Sequence, residues 1–116
     1  MPNLQTIRRG SVWLINLTDA VGHEEDETRP AVIVSTDAFN NGPAGLVVIV
    51  PTTRTKRNYP FHHEIRSPEG GLISTSYIMV DQMRIIPKDR LIKVLGSVHP
   101  ATMSSIEESI KIILEL

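Results

Sequence analysis

The chain contains no cysteine, and this absence excludes disulfide bonds, metal sites built from thiolates and cysteine nucleophiles. It also has no uninterrupted apolar run of the length that spans a bilayer. The first four residues, Met-Pro-Asn-Leu, do not lead from a positive region into an apolar stretch, as a secretory signal would. We therefore expect a cytoplasmic protein that does not engage a membrane.

The chain also lacks a large excess of positive or negative charge. It has 12 Lys and Arg residues and 13 Asp and Glu residues, which gives a net charge of −1. This balance excludes nucleic-acid binding through a globally basic surface. The charges are nevertheless segregated: acidic residues crowd the segment Gly22–Thr28, and basic residues crowd Arg54, Lys56 and Arg57. Any contact with nucleic acid would therefore have to be local.

Several motifs of catalysis and cofactor binding are missing from the sequence. It has no Gly-rich phosphate loop and no GxSxG nucleophile elbow. His23 and His99 have no second ligand at the spacing of a metal site. We therefore predict neither a metal nor a cofactor.

What the sequence does contain is the composition of a small globular protein, with 116 residues, 41% apolar and 22% charged. We expect one domain over residues 1–116. Short apolar runs rich in β-branched residues predict strands, and clusters of Gly, Pro, Asn and Ser predict turns. The runs are Val12–Leu17, Ala31–Val34, Leu46–Val50, Tyr77–Val80 and Leu91–Val98, and the turns are Asn40–Pro43 and Ser67–Gly71. A small, closed or nearly closed antiparallel barrel would hide the edges of such strands.

The C-terminal segment has a different period. Apolar residues recur there at steps of three or four, and Pro100 suits the first position of a helix. The stripe consists of Met103, Ile106, Ile110 and Ile113, and Ile112 and Leu116 lie beside it. The pattern predicts an amphipathic helix whose apolar face is wider than one barrel needs. The helix could pack only on its own barrel, or part of its apolar face could pack against a second copy of the chain.

The residues at two predicted strand ends have the chemistry of a phosphate site. Arg29 precedes the strand that begins at Ala31, and Thr52 and Thr53 follow the strand that ends at Val50. A guanidinium presents a planar fork of donors to two phosphate oxygens, and a threonine hydroxyl can donate to a third. Because adjacent residues of a strand face opposite sides, only one of the two threonines should point toward Arg29.

The sequence around these residues resembles that of a known protein family. In order, RRGSVWLINL, GHEEDETRPAVIVS, VPTTR, YPFHHEI, VDQMRII and DRL are similar to segments of the MazF/PemK toxin endoribonucleases. The resemblance runs from Arg8 to the terminal helix. Its most specific parts are the GxE…RPAVI block and VPTTR followed by YPF.

The resemblance implies a mainly β fold, an SH3-like antiparallel barrel with a C-terminal α-helix. It also implies a homodimeric toxin that cuts single-stranded RNA, such as mRNA, at short sequences without a metal and is neutralised by a cognate antitoxin. Attack by the 2′-hydroxyl would leave a 2′,3′-cyclic phosphate and a 5′-hydroxyl.

Site residues are carried over position by position. The catalytic threonine of the family falls on Thr53, because the match is Pro, any residue, Thr, and Arg29 would stabilise charge on the phosphate. Glu24 matches the loop glutamate, which could accept a proton or simply be solvated. The residues expected to bind RNA are Arg54, Lys56, Arg57, Tyr59, Asp81 and Gln82. The last two could read base edges or only tie loops together.

Two further features remain open at the level of sequence. His62 and His63 titrate near neutrality, but as neighbours on a strand they face opposite sides and cannot act on one atom. The acidic segment has Glu25 and Glu27 where the family commonly has Gln and Gly, so it carries more negative charge beside the expected phosphate site.

The competing hypothesis is a gyrase poison that resembles CcdB, which shares the barrel but binds a protein target. Such a toxin would not need Arg29 and Thr53, and that family ends in Trp-Gly-Ile, whereas this chain ends in Leu-Glu-Leu. A third reading, a small barrel serving only as an interaction module, leaves the two matched blocks unexplained. The sequence therefore favours the nuclease.

Overall fold

A computed structural model describes residues 6–18 and 27–116 of the chain. The strands are β1 (Ser11–Asn16), β2 (Thr28–Ile33), β3 (Leu46–Thr53), β4 (His62–Ile65), β5 (Ser76–Met79), β6 (Arg84–Pro87) and β7 (Leu91–Ser97), and the helices are α1 (Asp37–Asn40) and α2 (Pro100–Leu114). Short 3-10 turns occur at Glu69–Gly71, Val80–Gln82 and Lys88–Arg90. Within these ranges no helix is long and apolar enough to cross a membrane.

The strands form an antiparallel sheet in the order β4-β5-β3-β2-β1-β7, with β6 paired to β3 off this path. β3 pairs with three strands: with β2, with β6 through its first half, and with β5 through its last two residues. The mainly antiparallel β fold with a C-terminal helix is therefore confirmed.

The sheet is not closed, however. Within the described residues β4 and β7 lie at the two ends of the path and do not pair with each other, so the predicted SH3-like barrel stays open. Packing covers these ends instead, because α2 contacts β4 and the turn at Glu69–Gly71 contacts β7. Covering an exposed strand in this way removes the need for full closure.

The central strands are buried on both faces, which explains their continuous apolar runs. One apolar cluster includes Val12, Val32 and Val50 and is capped by Met103 and Ile106 of α2. The second cluster lies on the opposite face of the sheet and is built from the alternate residues of the same strands: Trp13, Ile15, Ala31, Ile33 and Ile49.

Helix α2 begins at Pro100, as predicted. Its first turn is capped from a distant loop, since Oε2 of Glu69 accepts hydrogen bonds from the His99 amide at 2.8 Å and the Thr102 hydroxyl at 2.6 Å. Arg9 holds the helix flank through Glu107, with 2.7 Å between Nη2 and Oε2.

The apolar stripe of α2 is buried over only part of its length. Met103 and Ile106 lie in the core, and Ile110 packs partly against it. Ile113 was predicted on the same stripe, but its side chain is exposed because the helix runs past the end of the sheet core. It joins Ile112, Leu114 and Leu116 in an exposed apolar helix end.

Candidate functional site

The ends of β2 and β3 open into a cleft of about 490 Å³. One side of the cleft is formed by strands β1, β2, β3 and β7, and the other by the segment that follows the Glu69–Gly71 turn. The lining residues are Leu14, Thr28, Arg29, Pro30, Thr52, Thr53, Arg54, Gly71, Leu72, Ile73, Ser74, Ser76, Lys93 and Leu95. The strand ends at which the sequence predicted a phosphate site therefore border one cavity.

Arg29 and Thr53 lie at neighbouring strand ends. β2 and β3 are antiparallel, and their paired register ends at Ala31 opposite Pro51. Arg29 and Thr53 each lie two residues beyond this pair, and both line the cleft. Nη1 of Arg29 donates to the Thr52 carbonyl oxygen at 3.3 Å, which directs the guanidinium toward β3.

The two threonines are not equivalent. Thr52 is buried, and its hydroxyl donates to the Pro30 carbonyl oxygen at 2.8 Å. The single hydroxyl proton of Thr52 is therefore not available to a ligand. Oγ1 of Thr53 accepts from the Thr55 amide at 3.2 Å, which leaves its own hydroxyl proton available to the cleft. The geometry thus supports Thr53 as the donor to a ligand.

The predicted basic residues are arranged unequally around the cleft. Arg54 lines it, whereas Lys56 and Arg57 follow in an exposed segment. Nη1 of Arg57 lies 3.9 Å from the Met79 sulfur. Tyr59 is 52% exposed and available for stacking, with its ring centroid 4.9 Å from that of His62.

Asp81 and Gln82 lie outside the cleft. Both are exposed in the 3-10 turn after β5, and Oδ1 of Asp81 is 3.4 Å from Nε2 of His62. The structure does not bring them together with Arg29, so their role in reading bases stays a prediction. Glu24, Glu25 and Asp26 lie outside the described residues, and Glu27 is exposed.

The histidines are held by separate structural contacts. His62 is almost fully buried beside Asp81, and its Nδ1 has no hydrogen-bond partner in the described part of the chain. His63 contacts α2, with Nε2 at 2.7 Å from the Ser109 hydroxyl. Neither ring lines the cleft. Burial, and to a lesser extent the neighbouring charge of His62, lower the pKa of His63 below its ordinary value.

We expect the free energy of unfolding to fall as the pH drops below the ordinary histidine pKa of 6.5. The unfolded chain binds a proton at His63 near that pH, whereas the folded chain resists protonation because the ring is partly buried. The contribution of His63 to the free energy of unfolding is therefore fully present above the pKa that His63 has in the unfolded chain. It is lost as the pH falls toward the lower pKa that His63 has in the folded chain. Urea titrations across this range should show the loss, and His63→Gln should flatten it. A wild-type slope in His63→Gln would contradict the assignment.

Lys93, Ile73 and Ser74 line the cleft but were not predicted from the sequence. They come from β7 and from the segment after the Glu69–Gly71 turn, far along the chain from Arg29. Among residues 6–18 and 27–116, no group of three or more His, Cys, Asp or Glu side chains is placed to hold a metal ion.

Comparison with known proteins agrees with this architecture. Residues 8–114 match the model of the family described as PemK-like, MazF-like toxin of type II toxin-antitoxin system. The chain is 32% identical to the endoribonuclease MazF9 of Mycobacterium tuberculosis over 115 residues, covering 95% of this chain and 98% of the relative.

Solved structures show the same fold. A MazE-MazF structure from Deinococcus radiodurans superposes with a TM-score of 0.83 at 23% identity, covering 97% of this chain and 98% of that one. A mycobacterial endoribonuclease in complex with its cognate antitoxin has a TM-score of 0.75 at 29% identity, covering 97% of each chain. These matches do not favour the CcdB-like alternative. The chain belongs to the PemK-like, MazF-like toxins of type II toxin-antitoxin systems.

Proposed function

We propose that this chain is a sequence-specific endoribonuclease toxin that cleaves single-stranded RNA, including mRNA, without a metal. The observation that carries the proposal is a single cleft lined by Arg29, Arg54 and Thr53, whose own hydroxyl proton is available to a ligand. The matched family and the relatives named endoribonucleases support the same activity.

The chemistry follows from what the cleft offers. The 2′-oxygen attacks the adjacent phosphorus, the bond to the 5′-oxygen breaks, and the products are a 2′,3′-cyclic phosphate and a 5′-hydroxyl. Arg29 stabilises the charge that builds on the phosphate oxygens, because its fork is fixed and always charged. Thr53 donates to another oxygen of the same phosphate. The 2′-hydroxyl proton passes to a base, the role we propose for Glu24, and the departing 5′-oxygen takes a proton from water.

Partners of the toxin follow from its surfaces and family. The exposed apolar helix end, formed by Ile112, Ile113, Leu114 and Leu116, supports a homodimer in which a second copy covers it. The family and the mycobacterial relative in complex with its cognate antitoxin support a cognate antitoxin for this chain. We propose that it competes with RNA for the cleft. We place the toxin in the cytoplasm, where a substrate of this class is found.

Primer extension on a long RNA treated with the purified protein tests the activity and reveals the cut sites. Cleavage at a short recurring sequence should persist in excess chelator, and the fragments should carry cyclic phosphate and 5′-hydroxyl ends. Sedimentation of the same preparation should show a dimer at micromolar concentration. Intact RNA, or cleavage that chelator abolishes, would overturn the proposal, and a clean monomer would overturn the dimer.

A further inference from the structure

Lys93 lies in one row of side chains that crosses the sheet. Register pairs Lys93 of β7 with Leu14 of β1, and Leu14 with Pro30 of β2. The carbonyl oxygen of Pro30 in turn accepts a hydrogen bond from the hydroxyl of Thr52 on β3. Because opposed residues share a face, Lys93, Leu14 and Pro30 project to the same side of the sheet, and all four residues line the cleft. Lys93 therefore stands at the β7 end of a row whose other end adjoins the proposed phosphate site.

The charge of Lys93 is uncompensated by nearby side chains. It is exposed, and no salt bridge among the described residues includes it. The cleft holds two other cations, Arg29 and Arg54, and its lining has no acidic residue in the described ranges. On a chain with a net charge of −1, three cations in one cleft form a local site for a polyanion.

Lys93 is placed for a different phosphate from the one at Arg29. Adjacent strands lie about 4.8 Å apart, so two strand spacings put the Lys93 backbone roughly 10 Å from that of Pro30, the neighbour of Arg29. The guanidinium of Arg29 is directed away from β7, toward the Thr52 carbonyl oxygen. The scissile phosphate would therefore lie on the β3 side of the cleft, and Lys93 is on the side of β1 away from it.

The space between the two cationic positions is apolar. Leu14 and Pro30 form its floor, and Ile73, whose side chain is 86% exposed, lines the cleft from the loop side. An apolar floor between two cations fits a nucleotide strand, whose base or sugar rests on apolar surface while its phosphates meet the charges. An isolated anion would make no contact with the apolar surface of Leu14 and Pro30.

We propose that Lys93 binds an RNA phosphate next to the scissile one, so that Arg29 and Lys93 hold consecutive phosphates across the Leu14–Pro30 floor. This inference rests on the proposed function. It assigns Lys93 to substrate binding and leaves the chemical step to Arg29 and Thr53.

The test is the salt dependence of binding to short single-stranded RNA of mixed sequence in which every ribose is 2′-O-methylated, so that no 2′-hydroxyl can attack. For single strands, each phosphate contact contributes about 0.7 to the slope of log affinity against log salt. Lys93→Ala should lower the magnitude of the slope by about 0.7, and Lys93→Arg should keep it. Lys88→Ala removes the same charge from outside the cleft and should leave the slope unchanged.

Cleavage kinetics on unmodified RNA separate binding from chemistry. Lys93→Ala should raise KM and keep kcat, because the contact is made equally in the ground and transition states. An unchanged slope in Lys93→Ala, while the wild type binds and cuts RNA, would overturn the role of Lys93 alone, as would a loss confined to antitoxin affinity. A wild type that neither binds nor cuts RNA would instead overturn the proposed function.

Discussion

Arg29→Ala is expected to slow RNA cleavage by about 10²–10³-fold, the usual effect of removing one donor that stabilises charge in a transition state. Arg29→Lys should be nearly as slow, because it keeps a charge but loses the planar fork. Single-turnover cleavage measures both effects. The fold should survive, since the guanidinium makes one 3.3 Å hydrogen bond to the Thr52 carbonyl and is partly exposed.

The adjacent threonines supply the matched control. Thr53→Val should slow cleavage by about 10²-fold, because it removes the hydroxyl that is free to donate into the cleft. Thr52→Val should leave the cleavage rate within a few-fold but destabilise the fold by about 1 kcal/mol, since it removes the buried hydrogen bond to Pro30. Full activity in Arg29→Ala with a native thermal transition, or equal losses in the two threonine variants, would refute the proposed roles.

Gly71→Ala should cost on the order of 4 kcal/mol of unfolding free energy. The backbone at Gly71 has φ +73°, and an added Cβ would lie 1.9 Å from the Leu95 carbonyl oxygen and 2.5 Å from its carbon. The obstacle is backbone of β7, which cannot rotate away as the tip of a flexible side chain would. The turn that covers β7 would have to leave the strand.

Gly45→Ala is the matched control for that change. Gly45 has the same φ of +73°, but an added Cβ would meet nothing within 4 Å. Its cost should be only the strain of a left-handed residue, about 1–2 kcal/mol. Urea denaturation of both variants isolates the close approach as the difference between their unfolding free energies. Equal costs would mean that the turn moves off β7 without penalty.

The strands that were easiest to predict from the sequence are those whose apolar residues are buried. The apolar runs predicted β1, β2, β3 and β5 because these strands pack apolar residues into the core. The apolar run over β7 predicted a strand as well, although no residue of β7 is buried and Ile92 and Val94 are exposed. Their ends were less clear, since β2 begins at Thr28 and β3 continues to Thr53, both beyond the apolar runs. β6 was not predicted, because in Arg84–Pro87 only Ile86 is buried.

The residues of the candidate site were predictable where they belong to local sequence motifs. Arg29 and Thr53 lie at the ends of neighbouring antiparallel strands, and both line one cleft. Lys93 depends on the pairing of β7 with β1, which no local pattern encodes. The exposure of Ile113 depends on where the sheet ends beneath α2, and periodicity alone carries no information on that length.

The pairing of Leu14 with Lys93 also has a consequence for synthesis on the ribosome. The cleft is built from residues between Leu14 and Leu95, so a nascent chain that has not yet released β7 lacks one of its walls. Contacts between segments so distant in sequence form slowly. A growing toxin chain is therefore expected to complete its cleft only after β7 has left the ribosome.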